Sequence, residues 1–464
     1  MATHLARTCD ATADSGYSNK WTWSGWVKRA KLGAEQGIMG NKRDDNNTNS
    51  RFKLYFRSTD KLGWECKDSG GSDDNSFETN MLFRDINAWY HIVFIYDSDN
   101  STETDRMKCY VNGKDVRTEL GGFSSVNEVG SGFGTLWSSA VANYLGTSGN
   151  NSGIAMQFEG YMSHCHLTYG YRYEASTFGS FDSTTGEWKI NTSPSVTYGS
   201  QGYFLLKDNA SVTDQSGEGN NYTATGTLTK SEDNPSNVFA TGNPLNFISS
   251  GCGLTFEHGN NTIQNDCAVG NVATLGASSG KYYWEGKLIS FVNSGGSGPN
   301  VYQIGINGTI FSKNTQFSGS SNPYGYSYLG TGDKRNNGSS SSFGNTYTNN
   351  DIIGVAMDLD NNKLYFSKNG TWQNSGDPTS GSTGTGSAYT ITAASSTDSG
   401  FYFPCYGHRD NRAKWSMNFG NGYFGTTAVS SAQNPDDGVG IFEYDVPAGY
   451  RALCTKSLNA EEYS

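Results

Sequence analysis

Trp21-Thr22-Trp23-Ser24-Gly25-Trp26-Val27 alternates, and in an extended chain Trp21, Trp23 and Gly25 share one face. Outward from this stretch, Phe52, Leu54 and Phe56 repeat the period of two. Trp89-Tyr90-His91-Ile92-Val93-Phe94-Ile95-Tyr96 is apolar on both faces, as expected of a central strand buried between layers. Cys109-Tyr110-Val111 runs into Asn112-Gly113, a strong hairpin signal. Tyr144-Leu145-Gly146 and Phe158-Glu159-Gly160-Tyr161-Met162 continue the series. A second strand-rich block starts near residue 252 and includes Lys281-Tyr282-Tyr283-Trp284-Glu285. In it Ile353, Val355 and Met357 share a face, Asp360-Asn361-Asn362 turns the chain, and Lys368-Asn369-Gly370 turns it again. No apolar pattern of helical period runs beyond about three turns. The fold class is therefore all-β, with two antiparallel β-sandwich (jelly-roll-type) domains joined by an irregular bridging segment. The boundaries read as 1–175 for the first sandwich, 176–248 for a polar, turn-rich bridge, 249–430 for the second sandwich and 431–464 for a docked C-terminal tail.

Composition supports a folded chain. Only 34% of the 464 residues are hydrophobic, but 10 Trp, 28 Tyr and 24 Phe supply large buried area at modest entropic cost. The 59 Gly suit many tight turns between short strands. A net charge of −11 argues against nucleic acid as a partner, because that affinity comes largely from cations. The eight cysteines, Cys9, Cys66, Cys109, Cys165, Cys252, Cys267, Cys405 and Cys454, form no CxxC pair, which argues against zinc knuckles and redox motifs. Thinly spread thiols fit synthesis in a reducing cytoplasm, and the spacing leaves disulfides open. Met1 to Asn19 has no apolar core of a signal peptide, and no run approaches the roughly 18 apolar residues of a membrane span.

At this point the motifs carry a family likeness. Trp23-Ser24-Gly25-Trp26-Val27, Trp89-Tyr90-His91-Ile92-Val93, Tyr110-Val111-Asn112-Gly113 and Phe158-Glu159-Gly160-Tyr161 together resemble the LamG-like, concanavalin-type jelly-roll family. The second block is similar to SPRY domains. This likeness rests on Gly280 to Glu285, Ile304-Gly305-Ile306, Asp351-Ile352-Ile353-Gly354, Leu364 to Gly370, Phe403-Pro404 and Asn418-Phe419-Gly420. The chain as a whole resembles virion proteins of tailed phages of aquatic bacteria. The carrying residues are the Trp-Ser-Gly-Trp-Val strand, Ser216 to Asn221, Phe239-Ala240-Thr241-Gly242-Asn243-Pro244-Leu245 and Val446 to Thr455. The resemblance implies a place on the virion, at the tail or capsid surface, and other virion proteins as partners.

Catalysis finds little support in the sequence. A glycoside hydrolase needs two carboxylates facing across a cleft, about 5 to 10 Å apart. Glu443-Tyr444-Asp445 is the nearest such spacing. It lacks the further carboxylate that hydrolases of this fold carry, and it reads as an exposed edge strand ended by Pro447. His164-Cys165-His166 would put both His on one face, but two ligands do not close a zinc site. No Gly-x-Ser-x-Gly elbow occurs. Asp358-x-Asp360-x-Asn362 imitates a calcium loop until Lys363 takes the place of the required Gly. The likeness to LamG domains makes Asp97, Asp99 and Asp105 candidate ligands for Ca2+, with no other cofactor expected.

Binding is the expectation. Tyr324, Tyr326 and Tyr328 alternate on one face, and Trp372 follows a tight turn; these four are the candidate ligand-binding residues. By resemblance to SPRY domains, the loops near 307–323, 328–350 and 370–388 form the partner surface. The expected function is non-enzymatic: host-receptor or glycan binding by the loops of lectin-like domains on a phage tail or fibre. The rival readings are a decoration protein that docks other virion proteins and, more remotely, a polysaccharide-degrading enzyme. A homo-oligomer is expected, a trimer by analogy with tail appendages.

Overall fold

The computed structural model describes residues 3–462 apart from 10–16, 44–50, 68–72, 138–140, 151–152, 209–210, 250–253, 266–268, 293–301, 310–316, 318–321 and 409–411. The chain divides into two compact units, Met1–Lys230 and Ser231–Ser464.

The first unit packs an eight-stranded sheet against a six-stranded one. In spatial order the larger sheet runs Phe123–Asn127, Asp73–Leu82, Lys61–Lys67, Arg51–Phe56, Gln36–Arg43, Val141–Leu145, His4–Thr8 and Thr223–Thr225. The smaller runs Lys114–Asp115, Met107–Val111, Tyr90–Asp97, Lys20–Arg29, Gly160–Tyr169 and Tyr203–Leu205. All pairings within the two sheets are antiparallel. The opening motif sits at the centre. Trp21 pairs with Tyr96, and its ring stacks on that ring at 5.4 Å and meets Trp64 of the facing sheet at 5.6 Å. Gly25 is required beside it, because a Cβ there would lie 2.6 Å from the Trp23 ring. Tyr90, Ile92, Phe94 and Tyr96 face this core, while Val93 and Ile95 face a third layer containing Ala175, Phe178 and Trp188. That layer explains why residues 89–96 read as apolar on both faces.

The segment 176–248, expected to bridge, is divided between the units. Phe178, Tyr203, Leu205 and Tyr222 are buried in the first unit. The Ser216–Asn221 motif serves this packing. The Asp214 carboxylate before it gathers the N–H groups of Phe204, Ser216 and Asn220, at 2.8, 2.9 and 2.8 Å.

The second unit packs a seven-stranded sheet against a nine-stranded one. The first runs Gly242–Ser249, Val269–Ala273, Phe403–His408, Tyr302–Asn307, Gly325–Leu329, Asp333–Asn336 and Ser339–Ser342. The other runs Leu254–Glu257, Thr262–Asn265, Arg412–Asn418, Lys281–Val292, Ile352–Asp358, Lys363–Lys368 and Thr371–Trp372, with Tyr389–Thr390 and Arg451–Ala452 on side paths. Trp284, Ile304, Tyr328, Val355 and Phe366 are buried between them. The C-terminal segment is woven into this unit. Arg451–Ala452 pairs in parallel with Tyr282–Tyr283, and the Ala240 N–H donates to the Leu453 carbonyl at 3.0 Å. The motifs at 239–245 and 446–455, far apart in sequence, thus meet in space. Among the described residues the α-helix is Thr455–Glu462, and no helix is long and apolar enough to cross a membrane.

Candidate functional site

The four aromatic candidates fall in two classes. Tyr326 and Tyr328 lie on the strand Gly325–Leu329 and are buried. The Tyr326 hydroxyl accepts from the Thr392 N–H at 3.2 Å, and the Tyr328 hydroxyl donates to the Asn345 carbonyl. Tyr326 packs on Tyr389 at 5.0 Å and Tyr328 on Phe366 at 5.5 Å. The alternation marks a strand, but the face it selects meets the opposite sheet, so these two rings are core and not a platform. Tyr324 packs half-buried against the same core. Trp372 ends the nine-stranded sheet half-buried, edge-on to Tyr283 at 6.3 Å. Most of the 307–323 loop lies outside the described residues; the 328–350 and 370–388 segments are described.

Asp97, Asp99 and Asp105 each have partners within the protein. Asp97 is buried between Lys20 at 3.5 Å and Arg172 at 3.6 Å. Asp105 pairs with Lys108 at 3.1 Å, and Asp99 accepts from Asn19 at 3.2 Å. Among the described residues no three His, Cys, Asp or Glu side chains are grouped to hold a metal. Asp358 builds its turn by accepting from the Asn361 backbone and amide at 3.0 and 2.8 Å, and it pairs with Lys281 at 3.2 Å.

His164 and His166 both reach Phe204, at 5.7 and 3.9 Å, while Cys165 points into the core. They do so across a bulge in which His164 takes a φ of +47°. A pair that the sequence did not reveal lies on the same sheet. His91 Nε2 is 2.8 Å from Ser24 Oγ, and its Nδ1 is 2.9 Å from Trp188 Nε1. An indole N–H only donates, so Nδ1 is the acceptor and the proton sits on Nε2, pointing at the serine. A nucleophile needs the reverse arrangement, with the imidazole accepting from the hydroxyl. Burial pushes His91 down to about 3, which keeps it neutral.

Glu443-Tyr444-Asp445 is not an edge strand. The Glu443 and Tyr444 N–H groups donate to the buried Glu285 carboxylate, each at 2.9 Å. Tyr283 and Asn418 donate to it as well, at 3.1 and 3.2 Å. The Glu443 carboxylate accepts from the Ser430 N–H at 2.6 Å and from its hydroxyl. Burial pushes Glu285 up to about 7 against the pull of its four donors. Its proton is bound more tightly folded than unfolded, so this contribution is full below about 4.5 and is lost as pH rises through about 7. We expect the second unit to lose about 3 kcal/mol from this group across that range. Urea midpoints measured against pH should show the loss in wild type, and Glu285→Gln should flatten it. An equal slope in the variant would contradict the assignment.

In the first unit the eight-stranded sheet turns a polar face away from the core. There Glu65 lies between Lys53 and Lys67, at 3.1 and 3.7 Å, and Glu78 between Arg57 and Lys61, each at 2.8 Å. The Tyr55 ring carries the Lys53 ammonium 4.1 Å from its centre.

Comparison with known families places these two units. Residues 6–168 match the concanavalin A-like lectin/glucanases superfamily, and residues 281–422 match the SPRY domain family. The chain carries a concanavalin A-like domain followed by a SPRY domain. The SPRY match ends before the 431–464 segment that Glu285 secures, and the concanavalin A-like match ends before the layer formed by residues 175–196. Solved structures similar to the chain include the SPRY domain of human HERC1, at 16% identity over 38% of this chain and 96% of that one, TM-score 0.28. The CBM40 of the Ruminococcus gnavus IT-sialidase is 14% identical over 38% of this chain and 92% of that one, TM-score 0.28. A heptameric SAP-like pentraxin from Limulus polyphemus is 16% identical over 36% and 69%, TM-score 0.26. No curated protein sequence matches the chain.

Proposed function

We propose that the protein binds glycans on the host cell surface, without cleaving them, as a surface protein of a tailed-phage virion. The observation that carries the binding part is the concanavalin A-like lectin/glucanase match over residues 6–168. The polar groups that cleavage would draw on are engaged otherwise: Ser24 accepts a hydrogen bond from His91 Nε2, and Glu443 accepts from Ser430. Weak single contacts would gain from display in several copies. The virion part rests on the likeness of the motifs at 216–221, 239–245 and 446–455 to phage proteins.

Immunogold labelling of intact virions tests the location. Label at the tail or fibre ends is the expected result. Label spread over the head would favour decoration of the capsid, and no label on virions would overturn the virion reading. A reducing-sugar assay on host envelope polysaccharide should show no release; release lost on neutralising Glu443 or Asp445 would overturn the non-enzymatic reading.

A further inference from the structure

The turn at Lys368-Asn369-Gly370 and the segment Glu443-Tyr444-Asp445 come together in the second unit. A Cβ on Gly370 would lie 2.6 Å from the Tyr444 ring, so ring and turn are in direct contact. Two residues on, Trp372 pairs with Ser367 and stands edge-on to Tyr283. Both rings are half-buried. Their polar tips are free: neither the Trp372 indole N–H nor the Tyr444 hydroxyl has a partner among the described residues, and neither is sealed from solvent. The Asp445 side chain is exposed and also without a partner among the described residues. Four other tyrosine hydroxyls of this unit are used internally. Tyr347, Tyr389, Tyr402 and Tyr450 each donate to a backbone carbonyl at 2.9 to 3.1 Å.

Two half-exposed rings, two free donors and one free carboxylate acceptor match the chemistry of a pyranose. Such a ring stacks a C–H face on an aromatic side chain and exchanges hydrogen bonds through its hydroxyls. The surroundings set the charge class. Asp445 and Glu443 are acidic, and the nearby Lys368 is paired with Asp351 at 3.1 Å. An anionic sugar would be repelled there. The position of Tyr444 is fixed in advance, because Glu285 holds its N–H and that of Glu443.

We propose that Trp372, Tyr444 and Asp445 form a subsite for an uncharged sugar residue. This rests on the glycan-binding reading above and adds to it a contact in the second unit, outside the 6–168 match. Two of the three residues lie outside the 281–422 match, so the subsite belongs to this chain's own C-terminal segment.

The test measures binding of the full chain to immobilised neutral and acidic glycans, with Trp372→Ala and Asp445→Asn alongside wild type. Wild type should bind neutral glycans, and each variant should bind them at least about tenfold more weakly, the loss of one hydrogen bond to a charged group or one stacking contact. Asp445 is exposed, so its variant should keep the wild-type melting temperature and remains informative if Trp372→Ala perturbs folding. Glycan binding unchanged in both variants, or confined to acidic glycans, would overturn the subsite and leave the glycan-binding reading standing. No glycan binding by wild type would overturn both.

Discussion

Replacing Asp60 by Ala is expected to destabilise the first unit by about 3–5 kcal/mol, the cost of leaving a buried cation without its partner. The cation is Arg29, whose side chain is 0% exposed. Its guanidinium meets Asp60 at 3.2 Å, donates to Gln36 at 3.2 Å and to the Phe83 carbonyl at 2.7 Å, and lies 4.5 Å from the Phe56 ring centre. Asp60 also accepts from the Gly33 N–H at 2.8 Å and from Arg84 at 3.2 Å. Three stretches of chain therefore depend on one carboxylate. Asp60→Asn keeps the shape and one acceptor, so it should cost less. Arg84 is 59% exposed, and Arg84→Ala should cost under about 1 kcal/mol. Urea denaturation of the full chain, with hydrogen exchange assigning the loss to the first unit, checks the ranking. An Asp60→Ala variant as stable as Arg84→Ala would contradict it.

Acid should destabilise the same unit through its histidines. Burial holds His91 neutral down to about 3, whereas in the unfolded chain it takes up its proton near 6.5. Between these values the unfolded state binds more protons. The contribution of His91 is therefore full above 6.5 and falls by about 1.4 kcal/mol per pH unit toward 3, up to about 5 kcal/mol in all. Burial pushes His166 in the same direction. The element at stake is the third layer: Trp188 donates to His91, and Tyr198 lies 2.9 Å from His166 Nδ1. Urea midpoints at pH 7.5 and 4.5 measure the slope. Carboxylates add their own acid dependence, so the informative comparison is with His91→Gln, which should remove much of it. An unchanged slope in His91→Gln would show that the imidazole is not the titrating group.

The two predictions differ in how far the sequence foretold them. The period of two at Trp21–Val27 and the two-sided apolar run at 89–96 were enough to read a layered β-sandwich, because alternation follows directly from strand geometry. Alternation does not say which way the face looks. Tyr326 and Tyr328 read as a strand correctly, yet they face the other sheet, and only the position of Tyr389 and Phe366 shows it. The ion pairs of the aspartates were hidden for a similar reason. Lys20 and Arg172, which neutralise Asp97, are remote from it in sequence. Glu443-Tyr444-Asp445 was legible as a carboxylate pair, but not as a segment held by Glu285, 158 and 159 residues away. His91 and Trp188 are separated by 97 residues, and no local pattern links them. Of the four aromatic candidates, Trp372 stands two residues beyond the Gly370 turn on which the Tyr444 ring packs. The turn signal at Asn369-Gly370 was the part of that site visible in the sequence.

The most direct test of the central claim is a binding measurement of the purified full chain on an array of bacterial surface glycans. Saturable binding to a defined set of uncharged glycans, competed by the free sugar, is the predicted result. An array with no binding, for a protein shown to be folded by its melting transition, would contradict it.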